Sequence, residues 1–537
     1  MNDLLRDERR LRRLFFALAL LYVLPLWTVR YLPTIDGACH TYNAWILRQY
    51  HNVEEYPLFQ EHYEINARPY PNWTGHAVTA LLMFVVPPLA AEKLMASLYV
   101  LTFLGGIWYF CGAVRSDQRW IAFLAFPFAY QQLFQYGFYN FSLSVALFPI
   151  ILGFWWRRRH TPTPGFAVGI NLLLWLCWFS HILSFGLALI AISVCWLATL
   201  RKEVWRRHLL HIPILAPQVI LPLWFFSVQG SDVIERDWGF RQLLLYFTRL
   251  EVFLSFSPVQ VWLGTAVAAV FLLLMILTVR RESFVSGRPM SRETDVFLLL
   301  AVLFTVLFFL SPEGMSGGYL MKQRLSLYPY LLLFAWLSPR LGRSGERIGA
   351  AVLTVTALLY LGYLVHWYGL LGREMRDYVN GLAAARPNTR LLTLNFRLDS
   401  RAAHMHIQSH AAGYAAIEKG LIDWENYEAK VPFFPVRFRE SVVFPDTPGI
   451  AFAPNLYRPR FNRGLVDTVY VWKMPGGMGL DQRLRRYYRL VSDENGGALY
   501  EIRTLRRREN EVSRISSDRK ASATAGSRSA AVSSSQP

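Results

Sequence analysis

Long apolar runs recur along this chain and limit what it can become. Residues 14–32, 262–279, 297–310 and 350–370 approach twenty residues with few or no charges. About 20 such residues in a helix cross the hydrocarbon core of a bilayer. In lipid the backbone must pair its own N–H and C=O groups, and a helix does so within one segment. The expected fold is therefore an all-α polytopic transmembrane bundle. Composition agrees: 53% of the residues are hydrophobic and 15% aromatic, with a mean hydropathy of +0.24. A water-soluble chain of that balance would expose too much apolar surface.

The formal charge of +19 resembles that of a nucleic-acid binder, but its placement argues against one. Basic residues cluster between apolar runs: Arg9 to Arg13, Arg157 to Arg159, Arg206 with Arg207, Arg280 with Arg281, and Arg340, Arg343 and Arg347. Cytoplasmic loops of membrane proteins are marked in this way. Placing every cluster inside gives a cytoplasmic arm over residues 1–13 and a transmembrane module over 14–371, with about eleven crossings. Residues 120–136 and 326–337 are counted among these crossings. Residues 74–88 are too short to span and are expected to re-enter from the outer surface. The first outer loop is then 33–76. Residues 372–505 read as a small extracytoplasmic α/β domain, with strands over 389–396 and 466–472, helices over 375–385 and 480–487, and a hairpin joining 488–491 to 498–503. Residues 506–537 form a basic Ser/Ala/Arg tail expected to be disordered. The N-terminus is placed in the cytoplasm and the whole chain in the cell membrane. Four cysteines without a framework spacing imply no disulfide.

The first outer loop carries the chemistry. It gathers Asp36, His40, Glu61, His62, Glu64 and Arg68 between apolar flanks. Ionisable clusters at a membrane surface usually serve a substrate. Asp36 is the candidate general base; the competing reading makes it the N-cap of the helix that follows. Glu64 is a second candidate catalytic carboxylate, and His40, His62 and Arg68 are candidate substrate contacts. Residues 40–51 are expected to lie in the interface, with Tyr42, Trp45 and Ile46 toward lipid and Asn43, Arg48 and Gln49 toward water. Residues 56–73, with three prolines, are expected as loop. Lys322 and Arg324 sit on the outer side against the charge rule, and a lipid phosphate would explain them. Arg324 leads, because its planar fork donates two parallel hydrogen bonds. His181, at an outer turn, is a further substrate candidate. His404, His406 and His410 form H-x-H-x3-H, which would place two imidazoles on one face of a strand. No acidic or thiol partner is fixed nearby, so no residue is assigned as a metal ligand. No cofactor is fixed either; a divalent cation such as Mg2+ or Mn2+ is the candidate class.

Three segments carry a resemblance: I-D-G-A-C-H at 35–40, R-P-Y-P-N-W at 68–73 and A-A-E-K-L-M-A-S-L at 90–98. With the layout of crossings, they resemble the GT-C glycosyltransferases, which include protein O-mannosyltransferases, oligosaccharyltransferases and bacterial aminoarabinose transferases. The resemblance covers the membrane part and implies a lipid-linked sugar donor on a polyprenyl phosphate, with transfer on the outer face. Asp36 matches the family's first-loop carboxylate, although Gly37 stands where an Asp-Glu pair is often found. The acceptor is left open between glycan, lipid and protein. Membrane lipid is an expected partner and nucleic acid is not. Two rival functions are a transporter or flippase for a lipid-linked glycan, and a non-catalytic scaffold for cell-envelope assembly.

Overall fold

A backbone in hydrocarbon pairs its polar groups most simply as helix, and the apolar runs do so here. The computed structural model describes residues 2–200, 205–228, 233–235, 238–286, 292–315, 318–398, 400, 403, 405–447, 449–451 and 453–503. Among them, six helices are long and apolar enough to cross a membrane: Pro88–Val114, Tyr139–Arg158, Trp205–Val228, Val259–Arg281, Glu293–Leu310 and Gly342–Asn380. Pro164–Ser180 and Ile182–Ala198 are apolar and shorter, at 17 residues each. The chain is a multi-pass membrane protein.

Several expected crossings are broken or short; residues 14–32, for one, are divided between helices Asn2–Leu21 and Leu24–Trp27. Residues 116–135 form a 3-10 helix, Ser116–Ala125, and two single turns, Phe126–Ala129 and Gln132–Gln135. Pro127 begins one turn, and the Gln131 side chain caps the next by accepting from the Leu133 N–H. These breaks are buried in protein, where irregular backbone is tolerated at membrane depth. Leu327–Trp336 has 10 residues and at 1.5 Å per residue reaches only about 15 Å. Among the described residues, six long and two shorter apolar helices thus stand where about eleven crossings were expected. The segment at 74–88 contains a nine-residue helix, Thr74–Leu82, too short to span alone.

Beyond the bundle lies a five-stranded sheet, in the order Ile422–Asp423, Arg390–Asn395, Thr468–Trp472, Gly497–Ile502, Tyr488–Glu494. The first two pairings are parallel and the last two antiparallel. The hairpin turns at Asn495 and Gly496, whose φ values of 55° and 81° are those a two-residue type I′ turn requires. Arg390 forks onto Asp467 with two bonds of 2.8 Å. The boundary expected at 372 falls inside one continuous 39-residue helix, Gly342–Asn380, which absorbs most of the helix expected over 375–385. The expected tail at 506–537 lies outside the described residues.

The first loop is more ordered than its prolines suggest. It holds helices Gly37–Gln49 and Pro57–His62 and a strand, Tyr63–Ile65, paired antiparallel with Val436–Phe438 of the C-terminal part. Gly37–Gln49 is not interfacial. Tyr42 and Ile46 are fully buried, and the Tyr42 hydroxyl donates to the Leu421 carbonyl at 2.5 Å. Asn43, expected in water, is buried and bonded to Asn426 and Glu428. Trp45, expected on the covered face, is only half-buried, so the expected division of faces holds in part, and protein rather than lipid covers Tyr42 and Ile46.

Helix Ala412–Lys419 packs onto Gly37–Gln49 at Gly413, where an added Cβ would stand 2.7 Å from the Ala38 carbonyl oxygen and 2.9 Å from its carbon. Both are backbone atoms and cannot rotate away. Gly413→Ala should therefore separate the two helices and lower stability by about 1–3 kcal/mol, the usual cost of overpacking. Thermal unfolding of the purified protein in detergent checks this; an unchanged Tm would remove Gly413 as the point of closest approach.

Candidate active site

Asp36 stands where the chain leaves its first apolar segment and turns into helix Gly37–Gln49. Its N–H donates to the Tyr136 carbonyl at 2.8 Å. Gly137 holds the opposite side with a φ of +89°, and a Cβ there would lie 2.5 Å from the Gly37 nitrogen. Only glycine meets both conditions without strain. Asp36 occupies the N-cap position, yet its side chain makes no capping hydrogen bond. One carboxylate oxygen instead accepts from the Tyr427 hydroxyl at 2.8 Å, and His410 Nε2 lies 3.8 Å from the other. Asp36 is 7% exposed. Burial raises its pKa, while His410, His40 and the Tyr427 hydrogen bond act in the opposite direction.

Asp36 opens onto a cavity of about 220 Å³. Its polar lining is Asp36, His40, Asn72, Asn140, His181, Arg324 and Tyr427, and its apolar walls include Phe138, Phe141, Phe433 and Phe434. Arg324 reaches in from helix Met321–Leu325, its guanidinium carbon 5.0 Å from the ring centres of both Phe138 and Phe141. One terminal nitrogen contacts His181 Nε2, while Arg324 Nε is buried without a hydrogen-bond partner among the described residues. His181 Nδ1 already accepts from the Leu183 N–H at 3.1 Å. A neutral imidazole has one acceptor nitrogen, so His181 satisfies only one of these two donors.

A second cluster adjoins the cavity behind His40. His40 Nδ1 and His76 Nε2 both contact the Glu428 carboxylate, the latter at 2.7 Å, and the two nitrogens are 3.3 Å apart. All three residues are buried. Burial raises the Glu428 pKa, but the facing His40 and His76 rings outweigh it and hold the group below the ordinary range. A third buried carboxylate, Glu92, lies beneath the start of the same helix and accepts from Tyr139 at 2.7 Å and Tyr414 at 2.9 Å. It does not line the cavity.

Of the residues singled out in the sequence, Asp36, His40, His181 and Arg324 meet in one cavity. The others do not. Glu64 sits on the strand Tyr63–Ile65 and is ion-paired with Arg437, so its carboxylate is held by the C-terminal strand rather than placed opposite Asp36. His62 bonds the Leu58 carbonyl at 3.0 Å and packs on Trp424. Arg68 is exposed and outside the cavity lining. Lys322 turns toward the end of helix Asp295–Leu310, donating to the Ser311 carbonyl at 2.5 Å and the Phe309 carbonyl at 3.3 Å. Cations near a helix C-terminus satisfy its last carbonyls. His404 lies outside the described residues. His406 and His410 are not on a strand, and His410 serves Asp36 instead. Sequence reasoning missed Asn72, His76, Asn140, Tyr427 and Glu428. The one usable signal was a histidine inside the apolar helix Thr74–Leu82.

No protein-family model and no curated protein matches the sequence. Solved structures do match by shape, among them two of one protein. ArnT from Cupriavidus metallidurans bound to undecaprenyl phosphate has a TM-score of 0.53 at 14% identity, over 92% of this chain and 98% of that one. The same protein in the apo state gives 0.52 at 13% identity, over 91% and 97%. At that identity the likeness speaks for the fold, and it extends over nearly the whole of both chains: the chain has the fold of ArnT.

Proposed function

We propose that this protein is a membrane glycosyltransferase that moves a sugar from a polyprenyl-phosphate carrier to an acceptor hydroxyl on the outer face of the membrane. One observation carries the reading: a buried carboxylate and an arginine without a carboxylate partner among the described residues share one small, aromatic-walled cavity. The fold neighbour ArnT was solved with undecaprenyl phosphate, an anionic lipid of the class Arg324 would hold.

In this reading the acceptor oxygen attacks the anomeric carbon and the carbon–oxygen bond to phosphate breaks. The electron pair leaves with the polyprenyl phosphate, and the acceptor proton passes to Asp36. A base so placed contributes about 10²- to 10⁴-fold. Arg324 stabilises the departing phosphate through parallel N–H bonds, and a phosphate between Arg324 and His181 would relieve the competition for the imidazole. The surrounding phenylalanines keep water out, which strengthens both interactions. Glu64, Lys322, Arg68 and His62 take no part.

Asp36→Asn should abolish sugar transfer, because the amide keeps the size but takes no proton. A helix N-cap would tolerate the same change, since Asn caps about as well as Asp. Transfer from labelled polyprenyl-phosphate sugar, in membranes with matched protein levels, separates the two. Wild-type activity would remove Asp36 from the site.

Arg324→Ala should weaken use of the lipid donor at unchanged insertion, with Arg324→Lys recovering only part, since a point charge lacks the fork. An unchanged kcat/KM for the donor in the Ala variant would detach Arg324 from phosphate.

Tyr427→Phe tests the carboxylate's environment. Tyr427 favours the ionised form of Asp36 by donating to it, so its loss should raise the Asp36 pKa further. The base is lost as pH falls through that pKa, so the acid limb of the kcat/KM profile should move to higher pH, with activity recovered on the alkaline side. An unmoved limb would assign that titration to another group.

A further inference from the structure

We propose that His40, His76 and Glu428 bind one divalent metal ion of the zinc class, and that this ion clamps the C-terminal part to the first loop. Two nitrogens and a carboxylate, all buried, converge with their ligand atoms within 4.8 Å of one another. His76 Nδ1 faces the Asn72 carbonyl at 3.0 Å, which fixes that nitrogen as the donor and leaves Nε2 bare. A bare nitrogen facing a carboxylate at 2.7 Å is repulsive unless a cation or a proton lies between them. The His40 Nδ1 to His76 Nε2 separation of 3.3 Å equals the roughly 3.3 Å edge of a tetrahedron whose ligands stand about 2.0 Å from zinc. The carboxylate contacts are closer and would lengthen on binding. An outer layer is also in place. The Asn43 amide donates to Glu428 at 2.8 Å, and the Asn72 carbonyl that orients His76 also receives the Asn140 amide at 3.0 Å, the kind of support that orients metal ligands.

The donor set selects the ion. Magnesium and calcium take oxygen ligands, whereas two imidazoles with one glutamate are a known zinc donor set. The three ligands come from helix Gly37–Gln49, helix Thr74–Leu82 and the segment Glu428–Lys430. One ion would thus tie together three pieces of chain, next to Tyr427 and its bond to Asp36. Its role is structural and holds whether or not the cavity transfers sugar.

The test uses the full chain, purified in detergent without a histidine tag or chelator. Elemental analysis should find about one zinc per chain, and stripping with dipicolinate should lower the Tm, with zinc but not magnesium restoring it. Glu428→Gln and His76→Gln should each cut zinc content about tenfold or more, whereas Glu64→Gln should leave it unchanged. If those variants fail to fold, cobalt loading of the stripped wild type gives a second measurement: visible bands of tetrahedral intensity that zinc displaces support the site. A wild type that stays metal-free after zinc loading and keeps its Tm under chelator would overturn the proposal and leave a protonated His76 on Glu428. Stoichiometric zinc that survives Glu428→Gln would overturn it equally.

Discussion

Asn43 and Asn426 meet edge to edge beneath the C-terminal sheet. The Asn43 amide donates to Asn426 Oδ1 at 3.0 Å and receives the Asn426 amide on its own oxygen at 2.9 Å. Both side chains are buried, so each needs the other: an unpaired buried amide costs about 1–3 kcal/mol. This exchange accepts one registration of helix Gly37–Gln49 against the 423–430 segment. Slide it by one residue and Tyr427 leaves Asp36, Glu428 leaves both histidines, and the Gly413 contact becomes a collision. The apolar packing around it supplies most of the adhesion, but apolar surfaces tolerate sliding and paired amides do not.

The C-terminal part therefore does not merely hang from the bundle. It lends the cavity Tyr427, Phe433 and Phe434 and sets His410 beside Asp36. The membrane part lends His181, Arg324 and Asn140. Charge is divided in the same way: the carboxylate emerges from the first loop and the guanidinium from the far side of the bundle. With few polar atoms among the aromatic walls, each acts on a substrate with little screening.

How much of this could be read beforehand depended on sequence distance. Asp36 was legible because an apolar run delivers it to a surface, and Arg324 because a cation there breaks a charge rule. The strands around 390–395 and 468–472 were legible from apolar runs, and the last hairpin from its Asn-Gly turn. Tyr427 and Asp36 are 391 residues apart, and nothing local in W-E-N-Y-E-A-K foretells a partner in the first loop. Glu64 misled for the converse reason: it is near Asp36 in sequence, but strand pairing gives it to Arg437. The interfacial reading of 40–51 failed because amphipathicity reveals which face is covered and not by what. The breaks within 116–135 fall at Pro127 and Gln131, inside a stretch whose aromatic residues masked them as one crossing.

The helix Gly342–Asn380 carries no proline and no break along its 39 residues. At 1.5 Å per residue it is a rod of about 58 Å, anchored at one end in the bundle and at the other in the sheet domain, where the Tyr378 carbonyl accepts from Tyr470. Such a rod resists bending but transmits torque. A rotation of its membrane end would be delivered almost undiminished to the sheet, and from there to the segment bearing Tyr427. The bilayer, by tilting one helix to match its own thickness, would thus have mechanical purchase on a hydroxyl that sits on the carboxylate.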